Sequence, residues 1–113
     1  MAGKFELKKT ESGKFMFNLK AGNGQVILTS QLYESKSAAL KGIESVRNNA
    51  GDDARYERKT TSAGEPFFVL TATNGQTIGK SESYNGAAGM ENGITSVKAN
   101  AAEARLADNT AKG

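Results

Sequence analysis

The sequence predicts an α+β domain in which one β-β-β-α unit occurs twice in tandem. Three observations carry that prediction. The chain repeats itself at an offset of 51 residues, each copy opens with apolar residues at every second position, and each closes on apolar residues at helical spacing. Aligning Phe5 to Ala50 with Tyr56 to Ala101 needs no gap, and 19 of the 46 pairs are identical, too many for chance. At 113 residues there is room for one continuous core and not for two. The expected organisation is therefore a single domain of two repeats, 5–50 and 56–101, followed by a polar tail over 102–113 that is either a helical extension or disordered.

In the first copy Phe5 and Leu7 alternate with charged residues, as do Phe15, Phe17, Leu19 and Ala21 with Met16, Asn18 and Lys20. This is the period of half-buried strands. Ser12-Gly13 separates these two strands, and Gly22-Asn23-Gly24 leads into a third at Gln25 to Ser30, giving an antiparallel meander. A two-residue Asn-Gly loop would set Leu19 opposite Leu28. In the second copy, however, position 28 corresponds to Gly79, whereas Ile27 corresponds to Ile78. A three-residue loop with Gly24 or Gly75 in the left-handed conformation, pairing Leu19 with Ile27, is therefore the preferred register.

Ser35 is placed to cap a helix whose apolar stripe is Ala39, Ile43, Val46 and Ala50, with Gly51 as its stop. The second helix carries the equivalent stripe Met90, Ile94, Val97 and Ala101 behind a weaker, glycine-rich start at Asn85 to Gly89. Gly42 and Gly93 lie inside these helices, where glycine costs about 1 kcal/mol relative to alanine. Close approach of helix to sheet beside Tyr33 or Tyr84 is the expected reason. Asp52 and Asp53 read as a short polar linker.

The combination Gly-Lys-Phe-Met-Phe, Ala-x-Asn-Gly-x-x-Ile, Ser-x-x-Tyr and Gly-Ile-x-Ser-Val-x-x-Asn-Ala, its later elements present twice, closely resembles the YegP-like family of uncharacterised bacterial proteins. The resemblance covers Phe5 to Ala101. It implies that the two copies form one antiparallel six-stranded sheet, curved into a half-barrel with both helices packed against it, and that single-copy members pair as dimers. It supplies no activity and no catalytic residues. Pro66 departs from the pattern where the first copy has Phe15, so that strand should begin there or leave its amide side unpaired.

Composition narrows the function. With no cysteine and no histidine the chain lacks thiolate chemistry and the commonest general base and metal ligand. Glu6, Glu57, Glu44 and Glu91 are expected on solvated faces, and no phosphate-cradling glycine loop is present. No catalytic residues, no metal and no cofactor are expected. With no leader-like or membrane-spanning apolar run, the expected compartment is the cytoplasm.

Residues 1–51 carry eight basic and four acidic side chains, a net of +4, against seven and eight, a net of −1, in 52–113. Lys4, Lys8, Lys9, Lys14 and Lys20 form a candidate basic face, with Lys4, Lys8 and Lys20 on the outer side of the first meander beside Met16. The aromatics Phe5, Phe15 and Phe17 point inward, leaving no stacking platform for single strands. Polar residues kept in both copies form a second candidate set: Asn23, Gln25, Ser30, Tyr33 and Asn49, repeated as Asn74, Gln76, Ser81, Tyr84 and Asn100. They serve either the fold or two equivalent surfaces. The expected function is a small non-catalytic binding or assembly module of the bacterial cytoplasm, a pseudo-two-fold monomer whose partner is a protein or small ligand. Weak sequence-nonspecific nucleic-acid binding through the basic face is the alternative.

Overall fold

Each half of the chain folds as a three-stranded meander followed by a helix. The structure, a computed structural model, describes residues 3–110. Its elements are β1 (Lys4–Lys9), β2 (Phe15–Lys20), β3 (Val26–Ser30), α1 (Lys36–Asn49), a short 3₁₀ turn (Asp53–Arg55), β4 (Tyr56–Thr60), β5 (Pro66–Thr71), β6 (Thr77–Lys80), α2 (Ala87–Ala101) and β7 (Arg105–Asp108). The strands form one sheet in the order β4-β5-β6-β3-β2-β1-β7.

The hairpin loops have the expected form. Gly13, Gly24, Gly64 and Gly75 all have φ near +87°, a region that favours glycine because it lacks Cβ. In the β2–β3 loop, Ala21 N–H donates to Gln25 and Gly24 N–H donates back to Ala21. Lys20 then faces Val26, as a three-residue loop requires. The next step corrects the sequence reading, because a second irregularity lets Ile27 bulge and sets Leu19 opposite Leu28. The same bulge in the second copy sets Leu70 opposite Gly79. Both isoleucines are nonetheless buried, which is why the apolar pattern did not reveal the slip.

The two meanders join at the sheet centre. β3 pairs antiparallel with β6 through Thr29↔Lys80 and Ser30↔Gly79. Thr29 and Lys80 are themselves 51 positions apart, so the pseudo-two-fold axis runs between them. Across the sheet one row of paired residues reads Glu57, Val69, Lys80, Thr29, Asn18, Glu6 and Ala107. Glu6 and Glu57 stand at symmetric places in it.

The sheet is not the six-stranded antiparallel one expected. It has seven strands and is mixed, because Arg105–Asp108, assigned to a polar tail, forms β7 parallel to β1. At the repeat offset 105–108 corresponds to 54–57, where the chain leaves α1 and enters β4. After α2 the equivalent place in the sheet is already filled by β1, so the chain lies down one strand further out. β4, by contrast, has no outer neighbour among the described residues. Residues 111–113 of the expected tail lie outside the described residues.

Both helices pack on one sheet face. Ser35 caps α1 by accepting from Ala38 N–H at 3.1 Å, while Gly86 gives α2 no side-chain cap. The two predicted stripes are buried throughout. Beneath α1, Phe5 meets Phe17 edge-on and Phe17 stacks on Tyr33. Tyr56, Phe68 and Tyr84 repeat this trio. Each tyrosine lies against its helix glycine: a Cβ at Gly42 would stand 2.8 Å from Tyr33 Cζ, and one at Gly93 2.8 Å from Tyr84 Cζ. Close approach thus explains both glycines. β5 does begin at Pro66: Phe15 and Tyr33 exchange two backbone bonds, but only Tyr84 N–H donates to Pro66, which has no hydrogen to return. Among the described residues no helix is long and apolar enough to cross a membrane.

Candidate functional site

Most of the repeated polar residues make local contacts within the fold. Asn23 and Asn74 each accept from the N–H two residues on, at 3.0 Å, closing the same turn in both hairpins. Ser30 and Ser81 accept from Phe17 and Phe68 N–H and donate to the next carbonyl, so each hydroxyl completes a strand end. Asn49 and Asn100 donate to the carbonyls of Ser45 and Ser96 one helical turn back. Gln25 and Gln76 contribute the backbone carbonyls that close the loops. Tyr33 and Tyr84 fill the space over the glycines, and burial raises both phenols above their ordinary pKa of 10.0, with Glu82 adding to the effect at Tyr84.

The basic face is interrupted by carboxylates. Glu6, expected on a solvated face, is 13% exposed in its side chain and bridges Lys20 at 3.1 Å and Lys8 at 3.3 Å. The bond from Lys20 foremost, then Lys8, holds its carboxyl below the ordinary range against the opposing effect of burial. Lys14 pairs with Glu34, and Lys9 lies over the Phe15 ring on the helix side of the sheet. Lys4 alone of the five has neither an ion pair nor a ring partner among the described residues. One aromatic escaped the sequence reading: Phe67, the counterpart of Met16, stands on the outer face with Lys80 Nζ 4.9 Å from its ring centre.

The remaining carboxylates are structural or exposed. Glu91 and Asp53 hold Arg58 at 2.6 and 3.2 Å, and Asp53 also accepts from Lys98 at 2.9 Å. Asp53 is therefore more than a linker residue, since it ties the chain entering β4 to α2. Among the described residues Glu44 reaches only Arg47, at 3.9 Å, and Glu57 only Lys59, at 3.6 Å.

A cleft of about 580 Å³ opens between α1, the segment that precedes it and the β5–β6 hairpin of the other repeat. That volume is within the range of small-molecule sites. Its floor is Tyr33, Gly42 and Ser45 on one side and Ala72, Gln76 and Ile78 on the other. Its rim is formed by Gln31, Leu32 and Lys41. Gln31 is anchored by donating to the Thr77 carbonyl, Leu32 is 57% exposed, and Lys41 has no carboxylate partner among the described residues. Among the described residues no acidic side chain lines the cleft.

The pseudo-two-fold sets a second group of residues in the equivalent place, and the lining also differs there at Ala38, which becomes Gly89, and at Thr77, which becomes Val26. All six floor residues recur identically, as Tyr84, Gly93, Ser96, Ala21, Gln25 and Ile27. The rim changes: Gln31 becomes Glu82, Leu32 becomes Ser83 and Lys41 becomes Asn92. The cleft thus pairs a cation with exposed apolar surface, whereas the equivalent positions of the other half hold a carboxylate and small polar groups. Sequence reasoning missed these residues because it sought what the copies share; the signal lay in where they differ.

A tandem meander-plus-helix protein with repeated aromatic trios is the class that this fold defines. The chain belongs to the family described as Domain of unknown function (DUF1508), whose pattern matches residues 11–57 and 62–108. Each matched segment runs from the loop before its central strand, through the helix, to the strand that follows, so the family pattern also makes β7 the counterpart of the start of β4. The chain is 54% identical over 110 residues to UPF0339 protein YegP of Escherichia coli (strain K12), covering 97% of this chain and 100% of that one. A UPF0339 protein of Bordetella pertussis is also 54% identical over 110 residues, with 97% and 98% covered. The solution NMR structure of YegP from E. coli matches with a TM-score of 0.94 at 52% identity, covering 100% of this chain and 97% of that one. That of a UPF0339 protein from Shewanella oneidensis matches with 0.93 at 46% identity, covering 99% and 95%. The resemblance read from the sequence is confirmed, and these relatives are uncharacterised proteins with no assigned function.

Proposed function

We propose that the protein is a non-catalytic binding module of the bacterial cytoplasm that holds a small organic anion in the cleft rimmed by Lys41 and Leu32. The observation that carries this reading is that the cleft keeps the floor residues common to both halves while its rim residues are its own. The floor residues are the same in both halves, whereas the rim residues differ and set a cation beside an exposed leucine on one side only. Lys41 suits a carboxylate or similar head group, and Leu32, Ala38 and Ile78 suit an apolar body. Support for chemistry in the cleft is thin: no histidine, cysteine or carboxylate is among its lining residues, and burial raises the Tyr33 phenol above its ordinary pKa of 10.0. Nucleic-acid binding has weaker support, since Glu6 and Glu34 engage three of the five candidate lysines.

Titration with octanoate, followed by NMR, tests the reading. Shifts are expected at Leu32, Ala38 and Lys41 but not at Asn92, with octylammonium giving none. Lys41→Gln should weaken octanoate binding about tenfold, the value of one charge-assisted contact. Absence of any octanoate shift, or equal shifts from octylammonium, would refute it.

A further inference from the structure

Strand β4 leaves one edge of the sheet open, and its sequence is complementary to itself. Thr60 lies opposite Pro66, which has no amide hydrogen, and the adjacent Thr61 N–H closes the hairpin on Glu65 at 2.8 Å. Because ladder bonds alternate along an antiparallel pair, the N–H and C=O groups of Arg58 and Thr60 point away from β5, as does the C=O of Tyr56. The Tyr56 N–H is already taken by the Asp53 carbonyl. Side chains alternate too. Arg58 lies on the helix face, satisfied by Glu91 and Asp53, while Glu57 and Lys59 stand about half exposed on the other face.

We propose that two copies join through β4 as an antiparallel, two-fold dimer centred on Arg58. In this register the two Arg58 residues exchange backbone bonds, and each Thr60 N–H donates to the Tyr56 carbonyl of the other copy. Glu57 then faces Lys59 of the other copy, and Lys59 faces its Glu57, at positions where no backbone bond intervenes and side chains come closest. Neighbouring registers fail on charge: centring on residue 57 sets Glu57 against Glu57, and centring on residue 59 sets Lys59 against Lys59. The registers between them set outward backbone groups against inward ones. Opposition of the two Arg58 side chains is tolerable because each is neutralised within its own copy. The same Glu-x-Lys pattern in β1, Glu6 and Lys8, is closed off by β7. Two-fold pairing uses β4 of both copies, so assembly through this edge stops at two. The reading is independent of the cleft and departs from the monomer expected from sequence.

Sedimentation and translational-diffusion NMR on the full chain, across a range of concentrations at low salt, provide the test. A dimer should grow with concentration and recede with added salt. Glu57→Lys or Lys59→Glu alone sets like charges opposite each other twice and should raise the dissociation constant about tenfold. The double reversal, Glu57→Lys with Lys59→Glu, should restore it. Thr60→Pro removes an amide that the β4–β5 pairing does not use, so it should weaken the dimer while the amide shifts of β5 persist. A chain that remains monomeric at every concentration, or a dimer indifferent to both single reversals, overturns the proposal.

Discussion

The side chain of Leu28 fills the space that a side chain at Gly79 would need. A Cβ at residue 79 would stand 2.8 Å from Leu28 Cγ and 2.9 Å from Cδ2. The two positions are equivalent in the repeats, and the pseudo-two-fold between Thr29 and Lys80 brings them together at the sheet centre. Two leucines would overfill that place, and leucine with glycine fills it once. Gly79→Ala should therefore destabilise by about 1–3 kcal/mol through overpacking. Leu28→Ala should cost about 2–5 kcal/mol through the cavity it leaves. Because the residues touch, the double variant should cost clearly less than the sum, and denaturant melts of all three measure the difference.

Gly42→Ala gives a sign test of helix against packing. Propensity alone would stabilise α1 by about 1 kcal/mol. The clash with Tyr33 should reverse this to a loss of about 1–3 kcal/mol, with Gly93→Ala behaving alike over Tyr84. Thermal melts showing either variant more stable than the parent would mean that the ring can move aside at no cost.

The attachment of β7 should depend on pH. Lys36, 2.5 Å away, together with bonds from Thr110, lowers the Asp108 carboxyl from the ordinary 3.8 to about 2. A depressed folded-state value means that the contact stabilises above the ordinary pKa and is lost as the pH falls through the folded one. Protection of the β7 amides from exchange should therefore fall between about pH 4 and pH 2, before protection at the sheet centre does. Lys36→Gln should abolish that early step.

Splitting the chain tests whether the repeats are independent. A fragment of residues 1–51 lacks β6 beside β3 and β7 beside β1, so it exposes two strand edges and the apolar side of Leu28. It is expected to dimerise with concentration-dependent stability or to stay unfolded, while the full chain unfolds in one cooperative transition. Sedimentation and melts over a range of concentrations distinguish this from two independent units, which would each melt alone at a fixed temperature.

Much of the fold is written in periodicity. The alternation of Phe15, Phe17 and Leu19, the stripe of Ala39, Ile43, Val46 and Ala50, and the cap at Ser35 depend on near neighbours in sequence, and those neighbours were visible. The family and the twofold repeat were legible for the same reason. Gly42 and Gly93 could be read as close approaches because each sat at a fixed distance from a tyrosine in both copies.

What sequence by itself determined was thus the unit, its duplication and the buried faces. Tertiary structure alone decided three further matters. The bulge at Ile27 arises where the central strands meet, and an isoleucine buried in either register leaves no trace in the pattern. β7 exists because the place next in line was already held by β1, and the weak apolar content of Arg105–Asp108 gives no strand signal of its own. The cleft joins α1 of one repeat to the hairpin of the other, so its rim residues, Gln31, Leu32 and Lys41, acquire meaning only once the pseudo-two-fold sets them beside Ala72 and Ile78. Local sequence specifies each unit, but where the units touch is settled by which surfaces remain to be buried when the two are brought together.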